Sequence, residues 1–174
     1  MTATYEQAER RGERLAPVRR TYLYIVTLVS LAVALVGMSR LVDTLAQIAL
    51  GDTGDGFGAF SFRRSIASSA GMLLVATPIF LLHWGLAQSR RAEVDERNSL
   101  LRKLFLYTAS AISLIWMLVL AYLLIEQLAG LAFGQPLAQS LLWPSQWLSW
   151  LLTAVANGAL VAYWAAVLQG DGDF

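Results

Sequence analysis

Cysteine is missing from this chain and histidine occurs once, at His83. The first absence excludes disulfides, thiolate metal sites and cysteine nucleophiles. The second excludes any metal or haem site built on two imidazoles of one chain. Charge is also scarce. Charged residues make up 14% of the chain against 57% apolar, where soluble domains carry about 25% charged residues. The formal net charge of +1 argues against nucleic acid as a partner, since a DNA binder needs a strongly basic face.

What the sequence does have is an internal repeat. Residues 20–51 return as residues 103–134, 83 positions later. Leu23, Tyr24, Ser30, Leu31, Leu41 and Gly51 recur as Leu106, Tyr107, Ser113, Leu114, Leu124 and Gly134. Around each copy lie apolar runs long enough to cross a bilayer, which takes about 20 residues at 1.5 Å each. Four qualify: 21–41, 66–87, 104–125 and 146–168. The even-numbered runs align more weakly at an offset of 80, with Ser69, Trp84 and Thr77-Pro78 opposite Ser149, Trp164 and Asn157-Gly158. The fold expected is an all-α, polytopic four-helix bundle made of two tandem, parallel-repeat helical hairpins. Two spans per copy leave both copies facing the same way, so a pseudo-two-fold axis should run along the membrane normal.

Basic residues orient the bundle. Arg10, Arg11, Arg14, Arg19 and Arg20 precede the first span, and Arg90, Arg91, Arg97, Arg102 and Lys103 separate the second from the third. The positive-inside rule places both groups, and both termini, in the cytoplasm. The chain divides into a basic N-terminal segment (1–20), a first hairpin (21–89), a cytoplasmic linker (90–103), a second hairpin (104–170) and an acidic tail (171–174). Arg19-Arg20 before an apolar run, with Ala32-Val33-Ala34 beyond, has the outline of a cleaved leader. The return of the same pattern in mid-chain argues for a retained span.

The odd-numbered helices should overrun the membrane and stop at Gly51 and Gly134, because glycine accepts the left-handed conformation that ends a helix. Residues 51–58 are rich in Gly and Asp, and a plain turn explains them better than a calcium loop, whose spacing and closing Glu are missing. Within the linker, Glu93 and Arg97 are spaced for a helical ion pair. The N-terminal segment, interrupted by Gly12 and Pro17, reads as an interfacial helix on anionic lipid or as disordered chain. Pro78 should kink the second helix. Tyr22, Tyr24, His83, Trp84, Phe105, Tyr107, Tyr163 and Trp164 read as an inner aromatic belt; Phe57, Phe60, Phe62, Trp143 and Trp147 read as an outer one.

Candidate functional residues fall into three groups. Ala154, Gly158, Ala162 and Ala166 recur every four residues and form a small-residue stripe that suits close helix packing, within the bundle or with another subunit. His83 and Trp84, with Pro78 nearby, could contact a ligand, for example a lipid, a quinone or a chlorin magnesium. A hydrogen-bonded interfacial imidazole is the plainer reading. Arg40, Asp43 and Glu126 are polar at the outer edge, where Arg40 could pair with Glu126 across the pseudo-axis or both acids could face water. The apolar centres of all four runs lack ionisable residues, which speaks against proton-coupled transport.

Three pieces of sequence, Arg20-Thr21-Tyr22-Leu23-Tyr24, Leu82-His83-Trp84 and Glu96-Arg97-Asn98-Ser99-Leu100-Leu101-Arg102, resemble an uncharacterised family of bacterial membrane domains catalogued as a domain of unknown function. The resemblance spans about residues 18–130, weakens in the second copy, implies a four-helix protein of the bacterial inner membrane, and carries no catalytic residue. The function expected is that of a non-catalytic membrane protein, either an accessory or scaffold subunit or a self-associating oligomer, in contact with membrane lipids. The alternative is a protein that binds or transports a lipid, quinone or pigment between the repeats.

Overall fold

The computed structural model describes residues 2–51, 59–90, 99–133 and 144–172, with side chains from residue 17 onward. Four helices account for them: α1 (Thr2–Ala49), α2 (Ala59–Ser89), α3 (Leu100–Ala132) and α4 (Pro144–Asp171). Each holds a stretch long and apolar enough to cross a membrane, so the chain is a four-helix membrane protein. Runs of Leu, Val and Ala form helices there because every backbone N–H and C=O must be satisfied within the segment. The outward faces confirm the solvent they are made for. Leu74, Val75, Leu81, Leu82, Ile115 and Leu118 are all exposed, an arrangement that water would penalise and lipid does not.

The overrun of α1 is present. It continues past Leu41 to Ala49 and ends where Gly51 takes a φ of 68°, with Leu50 N donating to Ala46 O. At its other end α1 does not begin after the basic segment; it runs unbroken through Gly12 and Pro17 from Thr2. A proline deletes one helical hydrogen bond, and long helix on both sides of Pro17 absorbs that loss. α2 likewise continues through Pro78. Gly134, the Glu93–Arg97 pair, residues 52–58, Phe57 and Trp143 lie outside the described residues.

The repeat is visible in burial. Leu23 and Leu106, Ser30 and Ser113, Ser69 and Ser149, Trp84 and Trp164, and Ala87 and Val167 are buried at both members of each pair. Several buried hydroxyls bond back to their own helix, as Thr27 to Leu23 O, Ser30 to Val26 O and Ser113 to Ala109 O, which satisfies them without a partner helix; that of Ser69 has no partner. The symmetry is incomplete. Tyr24 is 4% exposed and Tyr107 48%; Leu31 is 5% exposed and Leu114 50%.

One pair also differs in how closely its helix can approach a neighbour. Gly37 lets α1 lie against α2 so closely that a Cβ there would fall 2.9 Å from the Met72 Cβ and 3.3 Å from the Ser69 carbonyl oxygen. Its repeat equivalent is the bulkier Leu120, which is buried. The Thr44 hydroxyl bonds that of Ser65 at 2.8 Å, closing the first hairpin beyond Gly37.

Candidate functional site

The core gathers at one end of the bundle, which holds the start of α3 and the ends of α2 and α4. Trp84 and Trp164, equivalent in the repeat, meet edge to face with centroids 5.2 Å apart. Phe105 lies 5.4 Å from Trp84 and 5.9 Å from Trp164, and Tyr24 of α1 lies 5.4 Å from Phe105. These spacings suit offset and edge-to-face aromatic pairs. The Trp84 indole N–H donates to the Tyr163 hydroxyl at 2.6 Å. Four of the residues expected in an interfacial belt, Tyr24, Trp84, Phe105 and Trp164, are therefore buried core. Tyr22, Tyr107 and Tyr163 keep exposed positions of the kind a belt requires.

Arg102 closes this end. Its Nε donates to Asp171 Oδ2 at 2.8 Å, with the two side chains 0% and 1% exposed. Nη2 donates to Gln88 Oε1 at 3.1 Å and Nη1 to the Ala87 carbonyl at 3.4 Å. The guanidinium carbon lies 5.8 Å from the Trp84 ring centroid, within cation–π range. One side chain at the start of α3 thus ties down the ends of α2 and α4. Ser99 caps α3 beneath it, accepting from Arg102 N through Oγ. Read from sequence, Arg102 has a topological meaning only and Asp171 belongs to the tail. Their partnership across 69 residues has no periodic signature.

His83 sits apart from this network. Its Nδ1 bonds the Ile79 carbonyl one turn back on α2 at 2.8 Å, and its ring meets Tyr22 edge-on at 6.0 Å. A carbonyl only accepts, so Nδ1 carries the proton. Pro78 is exposed on the outer surface of α2. His83, Trp84 and Pro78 are therefore not brought together between the repeats: Trp84 is core, His83 lies beside Tyr22 of α1, and Pro78 faces outward.

The small-residue stripe also lies off the bundle interior. Ala162 and Ala166 are exposed, Ala154 and Gly158 half-buried, and a Cβ on Gly158 would meet nothing within 4 Å. The face that the first half of α4 buries is polar instead, with Ser145, Ser149, Thr153 and Asn157 at successive turns, before the apolar Trp164, Val167 and Leu168. Asn157 Nδ2 donates to the Thr153 carbonyl at 2.9 Å, while its buried Oδ1 has no partner. A polar ladder within a membrane helix is a packing and recognition feature, and its spacing of four was legible beside the alanines.

At the end away from Arg102, a cleft of about 460 Å³ lies between α1, α3 and α4. Arg40 and Asp43 line it from α1, Trp116 and Leu120 from α3, and Gln146, Ser149, Trp150 and Thr153 from α4. Asp43 Oδ2 accepts from Gln47 Nε2 at 3.0 Å. Arg40 and Glu126 are both exposed, and among the described residues no ion pair joins them. The cleft brings Arg40 and Asp43 together with the polar face of α4 and does not include Glu126.

Residues 20–168 match a protein family described as a domain of unknown function, DUF5671. The match runs through the second repeat, beyond the first-copy motifs that carry the resemblance in sequence. No curated protein and no solved structure matches the chain.

Proposed function

The chain belongs to the DUF5671 family, and from that premise we propose that it is a non-catalytic, self-associating protein of the cytoplasmic membrane. One observation carries the reading. The stripe Ala154, Gly158, Ala162 and Ala166 lies away from the face α4 uses inside its own bundle, and the space above Gly158 is open. In lipid, helices gain no hydrophobic drive to associate, so backbones that can approach closely are the usual contact surface. The occupant that fits such a stripe is its own copy on a second chain. The buried charged groups described here, Arg102 and Asp171, are engaged in holding helix ends together, which suits an assembly component better than a reaction centre.

The experiment is sizing of the full chain in mild detergent, before and after Gly158→Leu. The wild type is expected to run as an oligomer and the variant as a monomer. A Cβ there meets nothing of its own bundle within 4 Å, and leucine improves helix propensity by up to ~1 kcal/mol, so the monomer is expected to keep its fold, read as an unchanged helical signal. A monomeric wild type, or an oligomer indifferent to the substitution, refutes the proposal. Orientation belongs to the same reading: the basic end faces the cytoplasm. With no native cysteine, a single cysteine is a clean reporter. Asp52→Cys should react with an impermeant maleimide added outside cells and Glu93→Cys should not; the reverse pattern overturns the orientation.

A further inference from the structure

The cleft between the repeats is lined in two distinct ways along its depth. Its walls include Val36, Trp116 and Val119, each about two-fifths exposed, so it opens sideways to where bilayer chains lie. From Gln146 to Thr153, α4 supplies about 10 Å of polar wall at 1.5 Å per residue. Arg40 and Asp43 stand one turn apart on α1, as neighbours that could pair, yet no ion pair between them is formed. Asp43 uses one carboxylate oxygen on Gln47, which leaves Oδ1 available. One turn below Thr153, the buried Asn157 Oδ1 is an acceptor without a donor. A volume of about 460 Å³ lies within the ordinary range for small-molecule sites.

A cation and an anion lining one cleft with a polar wall, beside a lateral opening to hydrocarbon, select an amphiphile with both charges in its head. We propose that this cleft binds a zwitterionic phospholipid, with the phosphate on Arg40, the ammonium on Asp43 Oδ1 and the acyl chains leaving past Val36 and Val119. A purely anionic head meets the Asp43 carboxylate without a counter-charge and is disfavoured. The site is independent of the α4 stripe, so it stands or falls separately from self-association.

Native mass spectrometry of the full chain, purified in mild detergent, tests this with dioleoyl phosphatidylethanolamine, dioleoyl phosphatidylglycerol and free O-phosphoethanolamine as probes. The wild type should retain the zwitterionic lipid about fivefold better than the anionic one, the scale of one exposed charge contact. Arg40→Gln should lower retention of the zwitterionic lipid by about the same factor. Asp43→Asn should erase the preference by admitting phosphatidylglycerol. Thr153→Val leaves the charges intact and narrows the polar wall, so it should weaken retention without changing the preference. Equal retention of both lipids by the wild type, or indifference to Arg40→Gln in a protein that still melts like the wild type, overturns the proposal. So does binding of O-phosphoethanolamine as tight as that of the lipid, because the chains would then contribute nothing.

Discussion

Replacing Arg102 with methionine removes the guanidinium whose Nε donates to Asp171 Oδ2, a contact between side chains 0% and 1% exposed. It also removes the donors that reach Gln88 Oε1 and the Ala87 carbonyl. Breaking a buried ion pair from one side costs roughly 3–5 kcal/mol, because the remaining charge keeps its desolvation penalty. For a chain of this size each kcal/mol moves a melting midpoint by about 2–4 °C, so the midpoint in detergent should fall by about 6–20 °C. Asp171→Leu alone should be as harmful, since it strands a guanidinium that is fully buried. The double variant Arg102→Met, Asp171→Leu is the decisive sample. With both charges gone and apolar side chains in place, most of the lost stability should return. Arg102→Lys tests the fork itself, because one ammonium cannot reproduce the planar donor set that serves three partners. The measurement is loss of helical signal or onset of aggregation on heating the purified full chain. A double variant no more stable than either single one would refute this account and point to Gln88 and Trp84 as the partners that matter. A neutral Arg102→Met would refute it outright.

Other substitutions discriminate parts of the same structure. Gly37→Val should push α1 from α2 at Met72 and the Ser69 carbonyl and destabilise by about 1–3 kcal/mol, read as a lower melting midpoint; a neutral result would show that the first hairpin is not tightly closed. Trp84→Phe removes the donor to Tyr163 and should cost about 1 kcal/mol, while Trp84→Ala should cost about 3–5 kcal/mol. His83→Ala should cost under about 1 kcal/mol, since its ring bonds only its own helix and touches Tyr22; a loss as large as that of Trp84→Ala would mean the imidazole has a role beyond the one described.

The helices, their pairing into hairpins and their likeness to one another were legible because each follows from period and length: apolar runs sized for a bilayer, and one pattern written twice. The end of α1 was legible because Gly51 alone satisfies its cap geometry. Other features were not, for physical reasons. An aromatic residue near the end of a span reads as a belt residue whether it faces headgroups or a neighbouring helix. Trp84 and Tyr22 therefore look alike in sequence, although one is core and the other 61% exposed. A basic residue flanking a span counts toward orientation regardless of what it touches, and this concealed the structural part of Arg102. Small residues at intervals of four mark any close contact but not which side the bundle occupies, so the Ala154 stripe was readable and its outward direction was not. Asp171 gave no sign of its partner, because that contact depends on how two hairpins meet.

Duplication makes two hairpins alike, and function then depends on where they cease to be alike. At the Arg102 end both copies contribute matched residues, Leu23 with Leu106 and Trp84 with Trp164, and the halves lock through them. Toward the other end the pairs diverge in sequence, at Thr77-Pro78 against Asn157-Gly158 and, farther from Arg102, at Gly37 against Leu120. The glycine copy closes on Ser69 and Met72; the leucine copy opens beside Ser149 and Thr153. Leu120→Gly should restore the likeness by letting α3 settle onto α4. The expected consequence is loss of phosphatidylethanolamine retention with Arg40 and Asp43 untouched and the oligomer size unchanged. Retained lipid in that variant would show that the spacing of α3 from α4 is set elsewhere, and that Leu120 merely lines a cleft it does not create.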